Sequence, residues 1–462
     1  MSQASAANQP PENIMGYLPI PKVLMKVSLP MMISMTVLSL YNVVDSIFVG
    51  MLSENALAAV SLAFPLQMLV IAFGGGTCVG VNAILSRSLG EKNYERANRA
   101  AGNGIFLALC GSIFFIFLGL LAVKPFFAGQ TADADPEIYT YGVQYLSVIL
   151  IFSFAVLIQN TMERLLQSTG KSFYTMITQA IGAVINIILD PIFIFGWGPV
   201  PRMEVMGAAI ATVLGQCIAA SLALFFNLKF NKEIHFRWCE LKPDWKMIRI
   251  IYKVGIPSII MQSVGSVMNY GMNLILMGFS STATVVFGVY YKLQSIIYMP
   301  IFGLNNGVIP IVAYNYGAGK RKRIYSTIKL SMIIAEILMF IGVILFVFFP
   351  EPLLKLFSAS DTMLEMGSHA LRVISVHFLI AGICIIIGAS FQALGNGVYS
   401  LIVSVMRQLV VLLPAAFLLA KFFGLDAVWW SFPIAEVMSF AVTMICFFRI
   451  KRKIIDHIPN NA

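Results

Sequence analysis

The sequence predicts an all-α integral membrane protein with twelve transmembrane helices, built as two pseudo-symmetric six-helix lobes around a central cavity. Three observations carry this. Of 462 residues, 59% are hydrophobic and only 11% charged, whereas roughly a quarter are charged in soluble domains. Twelve apolar runs approach the roughly 20 residues needed to cross about 30 Å of hydrocarbon. The chain also matches itself, without gaps, at an offset of 227 residues.

The runs cover residues 28–50, 57–85, 101–123, 139–162, 173–196, 206–228, 251–279, 283–314, 326–349, 367–390, 399–420 and 427–449. An even count places both termini on one face, and the basic residues decide which face that is. With the termini inside, 24 of the 31 Lys and Arg residues fall on or beside cytoplasmic segments, and only Lys124, Arg202, Lys355, Arg372 and Lys421 fall outside. This bias predicts a multi-pass protein of the cytoplasmic (plasma or inner) membrane with both termini cytoplasmic. The net charge of +10 then requires no nucleic acid, and the run GKRKR at 319–323 reads as a topological anchor. The polar, Pro-containing first 21 residues lack the charged and short apolar regions of a signal peptide. Six scattered cysteines and four unclustered histidines provide neither a disulfide framework nor a metal site. No catalytic cluster or pore-loop motif is present, so the expectation is neither an enzyme nor a channel.

At the 227-residue offset, Pro30, Asn42, Gln67, Gly76, Gly80, Gly90 and Arg96 meet Pro257, Asn269, Gln294, Gly303, Gly307, Gly317 and Arg323. QSTG at 167–170 later meets QALG at 392–395, an offset of 225. Apolar composition alone would not keep Pro, Gln and Gly in register, so the chain is two copies of a six-helix unit. Because six is even, the copies share one orientation, the parallel-repeat plan of several secondary transporters. The expected division is an N-lobe over 1–230, a cytoplasmic linker over 231–250 and a C-lobe over 251–462.

The copies differ in their acids. Asp45, the only charge between Val27 and Ser53, faces Met272 in the repeat, and Asp190 faces Ala415. A carboxylate at the bilayer centre costs about 2.5–3.5 kcal/mol on insertion scales, more than ordinary packing warrants. A coupling-ion site in the N-lobe is therefore expected, with no other cofactor. Asn186 lies one turn before Asp190 on the same helical face, and Pro191 frees the carbonyl of Ile187. Thr212 stands in the small-residue run GAAIAT, where helices can approach closely. Asp45, Asn186, Asp190 and Thr212 thus form a candidate site for H⁺, or for Na⁺, which favours oxygen ligands. Tyr41, Gln67, Asn160, Gln179 and Gln294 are candidate substrate-cavity residues, and Pro30 a helix bend. Glu336, Glu436 and Arg407 read as structural, the last two as partners across the final helix pair. The many Met and Phe side chains suit amphipathic organic cations.

The chain resembles the multidrug and toxic compound extrusion (MATE) transporters. The residues that carry the likeness are Asp45 in DSIFVG, SRSLGEKNYERA at 86–97, QSTGKS at 167–172, NIILDPIFIFG at 186–196 with GAAIAT at 207–212, and AYNYGAGKRKR at 313–323. The resemblance implies twelve helices in two lobes and drug:cation antiport. It also implies that Asp45, Asn186, Asp190 and Thr212 match the N-lobe cation site of the DinF-like branch, with Tyr41 beside it and Pro30 at the bend. Residues 251–279 and 367–390 have no interior acid, unlike the NorM-like branch. Drug-like substrates, the lipid bilayer and a monomeric state are the implied partners. The alternative is a lipid-linked saccharide flippase of the wider superfamily, which generally has fourteen helices and a cationic cavity.

Overall fold

The computed structural model describes residues 12–130, 136–197, 200–235, 241–357 and 360–458. The first eleven residues and, within the expected linker, residues 236–240 with Cys239 lie outside the described part. Among the described residues there is no strand. Among these residues ten helices are long and apolar enough to cross a membrane, and two bent helix pairs, each counted as one span, bring the number to twelve. In chain order these are α1 Ile20–Gly50, α2 Glu54–Gly90, α3 Tyr94–Leu121, α4 Pro136–Ile151 continued by Phe154–Ser168, α5 Ser172–Phe195 and α6 Glu204–Phe230. There follow α7 Trp245–Met277, α8 Ser281–Gly317, α9 Arg321–Phe348, α10 Asp361–Ser375 continued by Phe378–Ala393, α11 Gly397–Phe423 and α12 Ser431–Lys453.

The repeat is visible in how helices start, bend and stop. Ser53 caps α2 by accepting the Ala56 N–H at 3.1 Å, and Ser280 caps α8 by accepting the Ala283 N–H at 3.1 Å. These caps satisfy donors that a helix N-terminus otherwise leaves unpaired. The bends in α4 (44°) and α10 (49°) are also counterparts. So are Gly170 and Gly395, with φ of +79° and +78° after those helices, a backbone region that glycine enters without cost. Pro30 lies inside an uninterrupted α1. Residues 406–412 of α11 form a π-helical stretch with no counterpart in α5.

The lobes meet in a reciprocal way. The N-lobe's α2 packs on α7 of the C-lobe, and the C-lobe's α8 packs on α1 of the N-lobe. A Cβ on Gly76 would fall against the Ile259 backbone, and one on Gly303 against Met31 and Met32. These small residues let the backbones touch. The contacts lie in the halves of the helices nearest the chain termini, so the lobes are joined at that face.

Candidate cation-coupling site

Two carboxyls from different helices meet inside the N-lobe. Asp45 on α1 and Asp190 on α5 lie within hydrogen-bonding reach of each other. Asp190 is fully buried, and Oδ1 of each acid is shielded from solvent without a hydrogen-bond partner. With its amide oriented to match donors with acceptors, Asn186 donates to Asp190 Oδ2 at 2.8 Å. Its oxygen accepts from the Thr212 N–H at 2.9 Å and the Thr212 hydroxyl at 3.2 Å. The small residues of α6 permit this approach, and Gly182 of α5 and Gly215 of α6 sit against each other on the same seam. The Tyr41 hydroxyl lies close to that of Thr212. All four sequence-predicted cation residues and Tyr41 are therefore together. Asn186, however, presents its nitrogen to the acid, while its oxygen is engaged by α6.

One member of the cluster escaped sequence reasoning. Tyr145 on α4 is buried near Asp45, Tyr41 and Asp190 and close to Gln67 of α2. Nothing in YGVQYLSV separates this tyrosine from its neighbours; only the fold selects it.

The remaining cavity candidates divide among other places. Gln179 donates to Glu163 Oε2 at 2.6 Å and accepts from Ser34. Glu163 also receives Gln159 and Thr178, each at 3.0 Å, and is buried. The expected fourth span stopped at 162 and so excluded this acid. Because α4 bends and runs on to Ser168, Glu163 is enclosed. The i,i+4 spacing of Gln159 and Glu163 was the available signal. Next to it, Arg164 reaches across to the C-lobe, donating to Asn306 Oδ1 at 3.0 Å. Asn160 lies beside Gly74. Gln294 belongs to the C-lobe, where it lies close to Tyr298.

The other polar C-lobe groups make contacts within that lobe. Arg407 and Glu436 form an ion pair at 3.4 Å, and Tyr298 bonds His377 at 3.0 Å. Glu336 accepts the Ile383 N–H at 3.0 Å, tying α9 to α10. No cluster of three or more His, Cys, Asp or Glu side chains suited to a metal ion occurs among the described residues.

Comparison with known proteins agrees with this architecture. The MatE family model matches residues 30–192 and again 257–418. The multidrug export protein MepA of Staphylococcus haemolyticus (strain JCSC1435) is 28% identical over 437 residues, covering 94% of each chain. MepA of Staphylococcus aureus (strain bovine RF122 / ET3-1) is 27% identical over 446 residues, covering 94% of this chain and 95% of that one. A solved outward-facing structure of a multidrug resistance MATE family transporter of the MOP superfamily superposes with a TM-score of 0.89 at 25% identity, covering 96% of this chain and 100% of the other. The paired acids thus stand in a twelve-helix frame matched in both halves by one family model, and the chain belongs to the MatE family of transporters.

Proposed function

We propose that this protein is a multidrug efflux antiporter of the cytoplasmic membrane, expelling amphipathic organic cations in exchange for protons that bind at Asp45 and Asp190. The observation that carries the reading is the contact between these two carboxyls. Two adjacent carboxylates repel, and low-dielectric surroundings sharpen the repulsion. The pair is favoured when it shares a proton or a cation, which is what a coupling site must be able to gain and lose. With its nitrogen facing Asp190, Asn186 presents no oxygen ligand to a Na⁺ ion between the acids, which supports H⁺ over Na⁺. A Na⁺ ion would need that amide turned over, which keeps a bond to the Thr212 hydroxyl but gives up the one from the Thr212 N–H. The carboxylates sit on α1 and α5, so loading them changes the interaction between helices that line one lobe.

The basic termini-bearing face is the cytoplasmic one in this reading, following the positive-inside bias. Export then uses the electrochemical gradient directly. One proton entering gains about 1.4 kcal/mol per pH unit and about 2.3 kcal/mol per 100 mV. The names of the MepA relatives support drug-like cargo, and the absence of interior acids from α7 and α10 supports the DinF-like pattern. The test is transport of a fluorescent lipophilic cation in proteoliposomes, with ΔpH and ΔNa⁺ imposed separately. Accumulation under ΔpH alone is expected. Accumulation that requires ΔNa⁺ would transfer the role to Na⁺, and passive equilibration alone would remove the antiport reading.

A further inference from the structure

The first described residues form a strap across the seam between the lobes. Asn13 starts a one-turn helix, Ile14–Tyr17, by accepting the Met15 N–H at 2.9 Å. Its amide nitrogen donates to the Thr169 carbonyl at 2.9 Å and to both oxygens of Glu233, at 2.9 and 2.8 Å. These anchors belong to the N-lobe and its exit into the linker. Burial raises the Glu233 carboxyl above its ordinary range, with Asn13 and Lys171 acting in the opposite sense.

The other edge of the strap is held by the C-lobe. Arg323 donates through Nη2 to the carbonyls of Met15 at 2.9 Å and Leu18 at 2.7 Å, and through Nε to Asn315 at 2.9 Å. Asn315 donates to the same Met15 carbonyl at 3.1 Å. Lys320 donates to the Gly16 carbonyl at 2.9 Å and pairs with Glu12 at 2.6 Å. The Met15 side chain is completely enclosed. Thus the basic run 320–323, which reads in the sequence as a topological anchor, makes directed bonds: Arg321 also holds Asp456 of the C-terminal turn.

We infer that Arg323, with Asn315 and Lys320, is the clasp of the termini-face gate: it keeps the lobes shut there by gripping backbone carbonyls of the N-terminal strap. The strap continues covalently into α1, so it travels with the N-lobe, and separation of the lobes must break the C-lobe bonds. The repeat shows that this grip is specific. Arg96, the counterpart of Arg323, bonds Glu91 of its own lobe at 2.8 Å and crosses no seam. The inference rests on the transport reading only in requiring that this face open during the cycle.

The experiment reads the gate directly and needs no drug transport. Spin labels at Glu95→Cys and Lys322→Cys, both exposed on this face, are placed in a background lacking the native cysteines. Inter-label distances are then measured in nanodiscs by double electron–electron resonance. The expected result is that Arg323→Ala raises the ratio of long to short distances on the order of tenfold, as loss of several charge-assisted bonds implies. Removal of residues 1–18 should do the same while leaving the C-lobe intact, and Arg96→Ala should leave the distribution unchanged. An unchanged distribution in both the Arg323→Ala and truncated proteins would overturn the inference, as would an equal shift in Arg96→Ala. If Arg323→Ala does not fold, the truncation alone decides. Efflux is measured separately, so a protein whose gate responds but which moves no drug would refute the proposed function and leave the clasp standing.

Discussion

Gly90 and Gly317, 227 positions apart and equivalent in the repeat, close the same seam from opposite lobes. A Cβ on Gly90 would lie against the Tyr314 carbonyl and 2.9 Å from Ala318 N. One on Gly317 would lie against the Arg87 carbonyl and 3.0 Å from Glu91 N. Each glycine receives the backbone of the other's helix end, and the adjacent Arg87 guanidinium stacks 4.4 Å from the centre of the Tyr316 ring. The duplication therefore supplies both sides of one tight seam. Neither glycine has positive φ, so the requirement is for space alone.

Valine at either glycine should hold this face open. Overpacking a tight contact costs about 1–3 kcal/mol, which corresponds to roughly a 5- to 150-fold change in a two-state ratio. Gly90→Val and Gly317→Val should each slow efflux at least several-fold and increase labelling of nearby cysteines by a membrane-impermeant reagent from the cytoplasmic side. Normal efflux with unchanged labelling would show that the seam tolerates the extra atoms.

Thr212 offers a finer test of the proposed cation site. Its hydroxyl touches the Asn186 oxygen at 3.2 Å, but its N–H holds the same oxygen at 2.9 Å. Thr212→Val removes only the hydroxyl, and a single such bond contributes about 0.5–1.5 kcal/mol. Efflux under ΔpH should fall by about 2- to 10-fold, and Thr212→Ser should restore it. If the amide orientation matters as described, the loss should shrink sharply when Asn186 is already leucine. An undiminished effect in that background would place the role of Thr212 elsewhere.

The Arg407–Glu436 pair should behave as a structural element. Glu436 is nearly fully enclosed, with its side chain 3% exposed, so removing the partner leaves an uncompensated buried charge. Such breaks cost about 3–5 kcal/mol, whereas replacing both members with apolar residues is often neutral. Arg407→Met should lower the thermal midpoint of the purified protein markedly, and Arg407→Met with Glu436→Leu should recover most of it along with ion-driven efflux. A stable double variant without coupling would show that the C-lobe pair takes part in ion exchange.

Much of this was legible because membrane sequences expose their logic. Apolar length marked twelve spans where the structure has ten continuous helices and two bent pairs, and the repeat agrees with the two stretches that one family model matches. Asp45, Asn186, Asp190 and Thr212 stood out because an intramembrane acid and its polar neighbours have few reasons to be there. What stayed hidden depended on local geometry. Apolar content says nothing about the bend near Phe152 that carries α4 on past Glu163. Tyr145 has no chemical mark that distinguishes it from nearby tyrosines. The grip of Arg323 on carbonyls was unreadable, because a backbone acceptor carries no residue identity, and a basic residue near a helix end already had a sufficient explanation in topology.

The two acids of the N-lobe carry the decisive prediction. Asp190→Asn keeps the shape of the side chain and lets Asn186 remain bonded to Thr212, but it removes one of the two groups that can share a proton. Drug binding draws on surfaces the substitution leaves in place, so a lipophilic cation should still bind the purified variant within a few-fold of the normal affinity. Accumulation should vanish. Two units of ΔpH supply about 2.7 kcal/mol per proton, enough for roughly hundredfold accumulation at one-for-one exchange, and the variant should show none of it. Asp45→Asn should behave in the same way, because the site is the pair and not either residue. Ala415→Ser, at the repeat counterpart of Asp190, should be nearly silent. If Asp190→Asn still concentrates drug under ΔpH, or if substitutions at Met272 and Ala415 prove equally damaging, the coupling site is not the Asp45–Asp190 pair.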